Sequence, residues 1–168
     1  MRTYTRTRAI EATHNNAGIP ANSFIKAKAE IHCFADALAF VQKQQTWGEN
    51  LLPLASNVVV YVVKRRRGKP VSIAVRLYDT DIITYHANGT WEADNGGFFT
   101  PTTSTRCNQF GPYGFHFSHV NKKLVAWNPS AGGYLETGPG KRYLCGTKPL
   151  DPLSVGLGGK GKALLYGD

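Results

Sequence analysis

Acidic residues and cysteines are both scarce in this chain, and each shortage narrows what it does. The 168 residues hold 11 Asp and Glu against 20 Lys and Arg, a formal net charge of +9. A surface of that sign favours an anionic partner such as nucleic acid, an acidic protein or a membrane surface. The shortage of acid is uneven, with 11 Lys and Arg against 4 Asp and Glu in residues 1–70, and 9 against 7 in residues 71–168. The basic surface is therefore expected mostly in the first part of the chain.

Cys33, Cys107 and Cys145 are far apart and odd in number, and they form no Cys-X-X-Cys pair. This argues against a disulfide framework or structural zinc and fits a reducing compartment. No stretch approaches the roughly 18 apolar residues of a spanning helix. The opening MRTYTRTRAIEATHNN is basic but has no apolar core of the signal-peptide kind. A soluble, non-secreted protein without a membrane partner is expected. Internal repeats and interdomain linkers are also missing, so residues 1–150 read as one domain and 151–168 as an irregular tail rich in Gly and Pro.

What is present reads as α+β: a mainly antiparallel sheet of hairpins with one long amphipathic helix near the N-terminus. The 18 Gly and 9 Pro imply many turns. Asn22-Ser23 offers an N-cap, and Phe24, Ala27, Ile31, Phe34, Leu38 and Val41 follow at spacings of three and four, one face of a helix. Asn57 to Lys64, NVVVYVVK, reads as a central strand, and Val71 to Leu77 as its hairpin partner. Between them Lys64, Arg65, Arg66, Arg67 and Lys69 place five cations within six residues, an arrangement that phosphates would relieve. The alternative use of such a run is a solvated turn that discourages edge-to-edge pairing.

Ile73 to Tyr85 continues as strand, with Asn88-Gly89 suited to a type I′ turn and Trp91 on the return. Thr102 or Thr103 is positioned to cap a short helix reaching Asn108. Phe115–Val120 and Lys123–Trp127 predict a further hairpin around Asn121-Lys122, and Tyr143-Leu144 a last pairing. Within this region Leu77, Thr80, Ile82, Gly89, Gly96-Gly97-Phe98, Thr100, Thr102-Thr103, Arg106 and Asn108 resemble a family of small proteins of unknown function encoded by tailed bacteriophages, in which a hairpin is followed by Gly-Gly-Trp, spaced threonines and Arg-X-Asn. This chain has Phe98 in place of the Trp. The resemblance implies a phage origin, hence the host-cell cytoplasm, and carries no activity with it.

Several motifs invite a reaction. Gly156 to Lys162 matches two phosphate-binding patterns, but Ala163 stands where magnesium needs a hydroxyl and too little chain follows to build a helix. His116 and His119, three apart on a strand, point to opposite faces and make no metal pair. Asp79 and Asp81, with Glu92 or Asp94, offer a carboxylate set for a metal-dependent nuclease; the competing use of Asp-Thr-Asp is a turn or bulge. The reading preferred from sequence is non-catalytic binding of DNA or RNA, without cofactor or metal. Lys64, Arg65, Arg66, Arg67 and Lys69, with the N-terminal Arg2, Arg6 and Arg8, supply phosphate contacts, and Tyr85 and Trp91, beside Arg76 and Arg106, offer stacking faces. The alternatives are a counter-defence or host-takeover protein that binds an acidic host protein, and the nuclease.

Overall fold

The computed structural model describes residues 23–44, 50–128 and 133–144. The N-terminal arginines, Cys145, the Gly156–Lys162 motif and the tail expected at 151–168 lie outside these residues. Among the described residues the order is helix α1 (Phe34–Gln44), strands β1 (Leu52–Ala55), β2 (Val58–Arg66), β3 (Lys69–Leu77), β4 (Thr80–His86) and β5 (Thr90–Ala93), helix α2 (Pro101–Phe110), and strands β6 (His116–Val120), β7 (Lys123–Asn128), β8 (Gly133–Glu136) and β9 (Tyr143–Leu144). The class is α+β. One antiparallel sheet runs β1-β2-β3-β4-β5-β9 and a second runs β6-β7-β8. No helix among the described residues is long and apolar enough to cross a membrane.

Tight turns dictate the sequential strand order. Arg67-Gly68 (φ 52° and 78°) and Asn121-Lys122 (φ 51° and 66°) both put two central residues in the left-handed region, as a type I′ turn requires. The Asn88-Gly89 turn departs from that expectation. Only Gly89 has positive φ, and its N–H donates to the His86 carbonyl at 3.0 Å, so the loop holds three residues and ends in a left-handed glycine. Pro53, expected in a connection, instead lies in β1, at a sheet edge where its missing N–H removes no ladder bond from an interior strand.

The first helix begins at Phe34 rather than Phe24, so the long N-terminal helix is corrected to 11 residues. The preceding stretch carries a second periodicity. Ile25, Ala27, Ala29 and Ile31 alternate with Lys26, Lys28 and Glu30 and turn toward the core, while both lysines are exposed. Ala27 pairs with Ala55, and the Lys28 N–H donates to the Leu54 carbonyl at 2.8 Å. An alternating segment that finds a strand edge gains ladder bonds there, and period two prevails over 3.6.

Helix α2 is capped by Thr100, whose side chain accepts the Thr103 N–H at 3.3 Å, with Pro101 opening the helix. The cap falls two residues before the earliest threonine expected. At its other end α2 clamps backbone on two sides. Asn108 donates to the Phe117 carbonyl at 2.8 Å and accepts the Phe117 N–H at 2.7 Å, filling the place of a neighbouring strand beside β6. Gly111 admits no side chain, since a Cβ there would sit 2.4 Å from the Cys107 carbonyl oxygen.

Helices α1 and α2 pack on the face of the large sheet that carries Ile73, Val75, Ile83 and Tyr85. Trp91 joins the two sheets. Its indole meets Phe115, Phe117 and Tyr143 with ring centroids 4.9, 5.5 and 5.4 Å away.

Candidate nucleic-acid interface

The β2–β3 hairpin outgrows its neighbours. β1 reaches only to Val60, and β4 pairs with β3 no further than Ser72. Past the Lys64↔Ser72 rung, Arg65↔Pro70 and Arg66↔Lys69 continue as a two-stranded arm that no other described strand flanks. It extends roughly 10 Å past the end of β4, from three residues at about 3.3 Å each. Lys64, Arg65, Arg66, Arg67 and Lys69 are all exposed. None forms an ion pair among the described residues; Arg65 Nη1 donates to the Gly68 carbonyl at 3.2 Å and so braces the turn. Arg66 and Lys69 stand directly opposite each other, a cross-strand like-charge pair that opposes pairing until an anion neutralises it.

The sheet face away from the helices carries two polar networks. At one end Arg76 Nε lies 2.8 Å from Asp81 Oδ1, Arg76 Nη2 donates to Tyr61 Oη at 2.7 Å, and Tyr61 donates to Asp81 at 2.5 Å. The guanidinium also sits 4.4 Å from the Tyr61 ring centroid. Burial and the Asp81 hydrogen bond push the Tyr61 phenol above its ordinary range. Arg76 is thus committed to Asp81, and Asp79 lies in the β3–β4 turn. Among the described residues no group of three or more His, Cys, Asp or Glu side chains is placed to hold a metal.

At the other end Ser72 Oγ lies 2.7 Å from His86 Nδ1, and His86 Nε2 lies 2.7 Å from Glu92 Oε2. Glu92 also accepts the Gly140 N–H at 3.1 Å and faces Arg142 Nε at 3.2 Å. The His86 hydrogen bond, ahead of opposing burial, holds the Glu92 carboxyl below its ordinary range. Order and distances imitate a hydrolytic Ser-His-acid chain. Ser72 nevertheless sits within β3 at 6% exposure, and it lines neither the cleft beside Tyr78 nor the one beside Lys122. This network ties β3, β4 and β5 to the segment that leads into β9.

Besides Arg76, three further residues expected at the interface have other work. Tyr85 and Trp91 are both 0% exposed and present no face to a base. The Tyr85 hydroxyl donates to the Phe110 carbonyl at 2.7 Å, closing the end of α2. Arg106 Nη1 donates to the Ser23 carbonyl and to Gln109 Oε1, each at 3.0 Å, and holds the chain ahead of α1 rather than a ligand.

Exposed aromatics lie elsewhere: Tyr78 at 64%, Phe98 at 62% and Phe99 at 51%, with Tyr134 at 54% on β8. The sequence reading placed the stacking faces on Tyr85 and Trp91 instead. Tyr78 and Phe98 border a cleft of about 470 Å³ floored by Leu77 and Ile82. Of the motif residues picked out in the sequence, Leu77, Thr80, Ile82, Phe98, Thr100 and Thr102-Thr103 all meet there. Comparison with protein-family models, with curated proteins and with solved structures finds no match.

Proposed function

We propose that this protein binds nucleic acid without cleaving it, gripping phosphates with the β2–β3 arm. The observation that carries this reading is the arm itself: five exposed cations on a two-stranded ribbon, none in an ion pair among the described residues. A ribbon of this width enters a duplex major groove, about 12 Å wide, and its cations equally follow a single strand. The test is fluorescence anisotropy with single-stranded DNA, duplex DNA and RNA over a salt series, with and without magnesium. The expected result is binding that weakens steeply with salt. Replacing Arg65, Arg66 and Arg67 with Ala should flatten the duplex salt slope by about 0.9 for each phosphate that is no longer neutralised. Absence of binding to all three at low salt overturns the reading and turns attention to an acidic protein partner. Shortening of the probe only with magnesium favours the nuclease.

A further inference from the structure

We propose that the cleft between Tyr78 and Phe98 is a binding site for an unpaired nucleobase that carries an exocyclic amino group. Its volume of about 470 Å³ lies within the range of small-ligand sites. Two exposed rings stand at its border, where every base has a π-face to offer. The lining residues include Asp79 and Thr102, whose side chains have no hydrogen-bond or ionic partner among the described residues. A carboxylate accepts from the amino group of cytosine or adenine, and a threonine hydroxyl serves either role. Among the described residues no cation lines the cleft, so the phosphate of a nucleotide stays outside and the base enters.

The border is held in place before any ligand arrives. Tyr78 has φ of 53°, a conformation that costs a non-glycine residue, and Asn57 fixes it from two sides. The Tyr78 N–H donates to the Asn57 carbonyl at 3.0 Å, and the Tyr78 hydroxyl accepts from Asn57 Nδ2 at 3.2 Å. Opposite, Gly96 and Gly97 (φ 59° and 86°) turn the chain so tightly against Thr80 that a Cβ on Gly96 would lie 2.6 Å from Thr80 Oγ1. The Phe98 N–H then donates to the Asn95 carbonyl at 2.8 Å.

The test uses the full chain and free nucleosides, which have no phosphate for the arm to hold. Adenosine, cytidine, uridine and choline are titrated at millimolar concentration while the amide resonances of residues 77–80 and 98–103 are followed by NMR. Adenosine and cytidine are expected to shift these resonances saturably, with uridine roughly tenfold weaker. Phe98→Ala and Tyr78→Gly, which keeps the left-handed backbone, should each weaken adenosine roughly tenfold while circular dichroism stays native. Asp79→Asn should remove the preference over uridine. Unshifted resonances, uridine equal to adenosine, or tighter binding of choline overturns the proposal. The variant with Ala at Arg65, Arg66 and Arg67 should bind adenosine as the parent does, so failure of the arm reading and failure of this one remain distinguishable.

Discussion

The carboxamide of Gln109 grips the backbone of Ile25 at two points, accepting its N–H at 3.2 Å and donating to its carbonyl at 2.6 Å across 84 residues of sequence. It is a side-chain imitation of one rung of a β-ladder. The segment leading into α1 is thereby fixed to the end of α2, with Arg106 bracing Gln109 Oε1. Gln109→Leu leaves both Ile25 groups without that partner and should cost about 2 kcal/mol. Urea denaturation measures the destabilisation, and hydrogen exchange should show the Ile25 and Lys28 amides losing protection first.

Trp91 and Tyr85 behave as core, and substitution separates that role from ligand stacking. Trp91→Ala should cost about 4 kcal/mol by emptying the junction of the two sheets. Tyr85→Phe removes only the bond to the Phe110 carbonyl and should cost about 1 kcal/mol. Neutralising Arg65, Arg66 and Arg67 should change stability by less than about 0.5 kcal/mol. Thermal unfolding of the three variants side by side gives the ranking.

The two loop glycines divide a conformational cost from a steric one. Gly97→Ala meets open space and bears only the left-handed penalty, about 1 kcal/mol. Gly96→Ala bears the same penalty and also collides with Thr80, so it should cost more, about 2 kcal/mol or above. Equal urea midpoints for the two variants would show that the loop does not press on Thr80.

Acid should weaken the fold in two stages. Burial holds the His116 and His119 imidazoles below the ordinary 6.5, and the bond to His86 holds Glu92 below the ordinary 4.5. For each group the unfolded chain takes up its proton first, so stability is complete above the unfolded value and falls as pH drops through the folded one. Urea midpoints should decline first from about pH 6.5 downward, then again below about pH 4.5. His116→Gln with His119→Gln should flatten the first decline and leave the second.

Much of the fold is legible in local sequence, because hairpins declare themselves through turn chemistry. Arg67-Gly68, Asn121-Lys122 and the Gly-ended loop at Gly89 each separate strands close to where the residue pattern puts them. The arm could be read for the same reason. What could not be read is a one-residue event in β4. Arg76 pairs with Asp81, yet Val75 pairs with Ile83, so Ile82 is an extra residue, a β-bulge. In a regular strand Tyr85 would share the open face with Asp81. The bulge reverses the parity and sends Tyr85 into the core, taking the anticipated stacking face with it. The same slip sets His86, rather than Tyr85, opposite Ser72, which is why the Ser72–His86–Glu92 network left no signal in the spacing. The segment 25–31 misled for another reason: its apolar residues satisfy two periods at once, and only the strand edge at β1 decides between them.

Strand β3 is also a ruler. The arm lies at its Lys69 end and the aromatic cleft at its Leu77 end, roughly 26 Å apart at about 3.3 Å per residue. A nucleic-acid strand shorter than that distance can occupy one end or the other. On the two proposals above, a strand that spans it should engage both, with the second end bound at the effective concentration set by the first. Affinity should therefore rise in a step at one oligonucleotide length, and an abasic site placed to meet the cleft should erase the step.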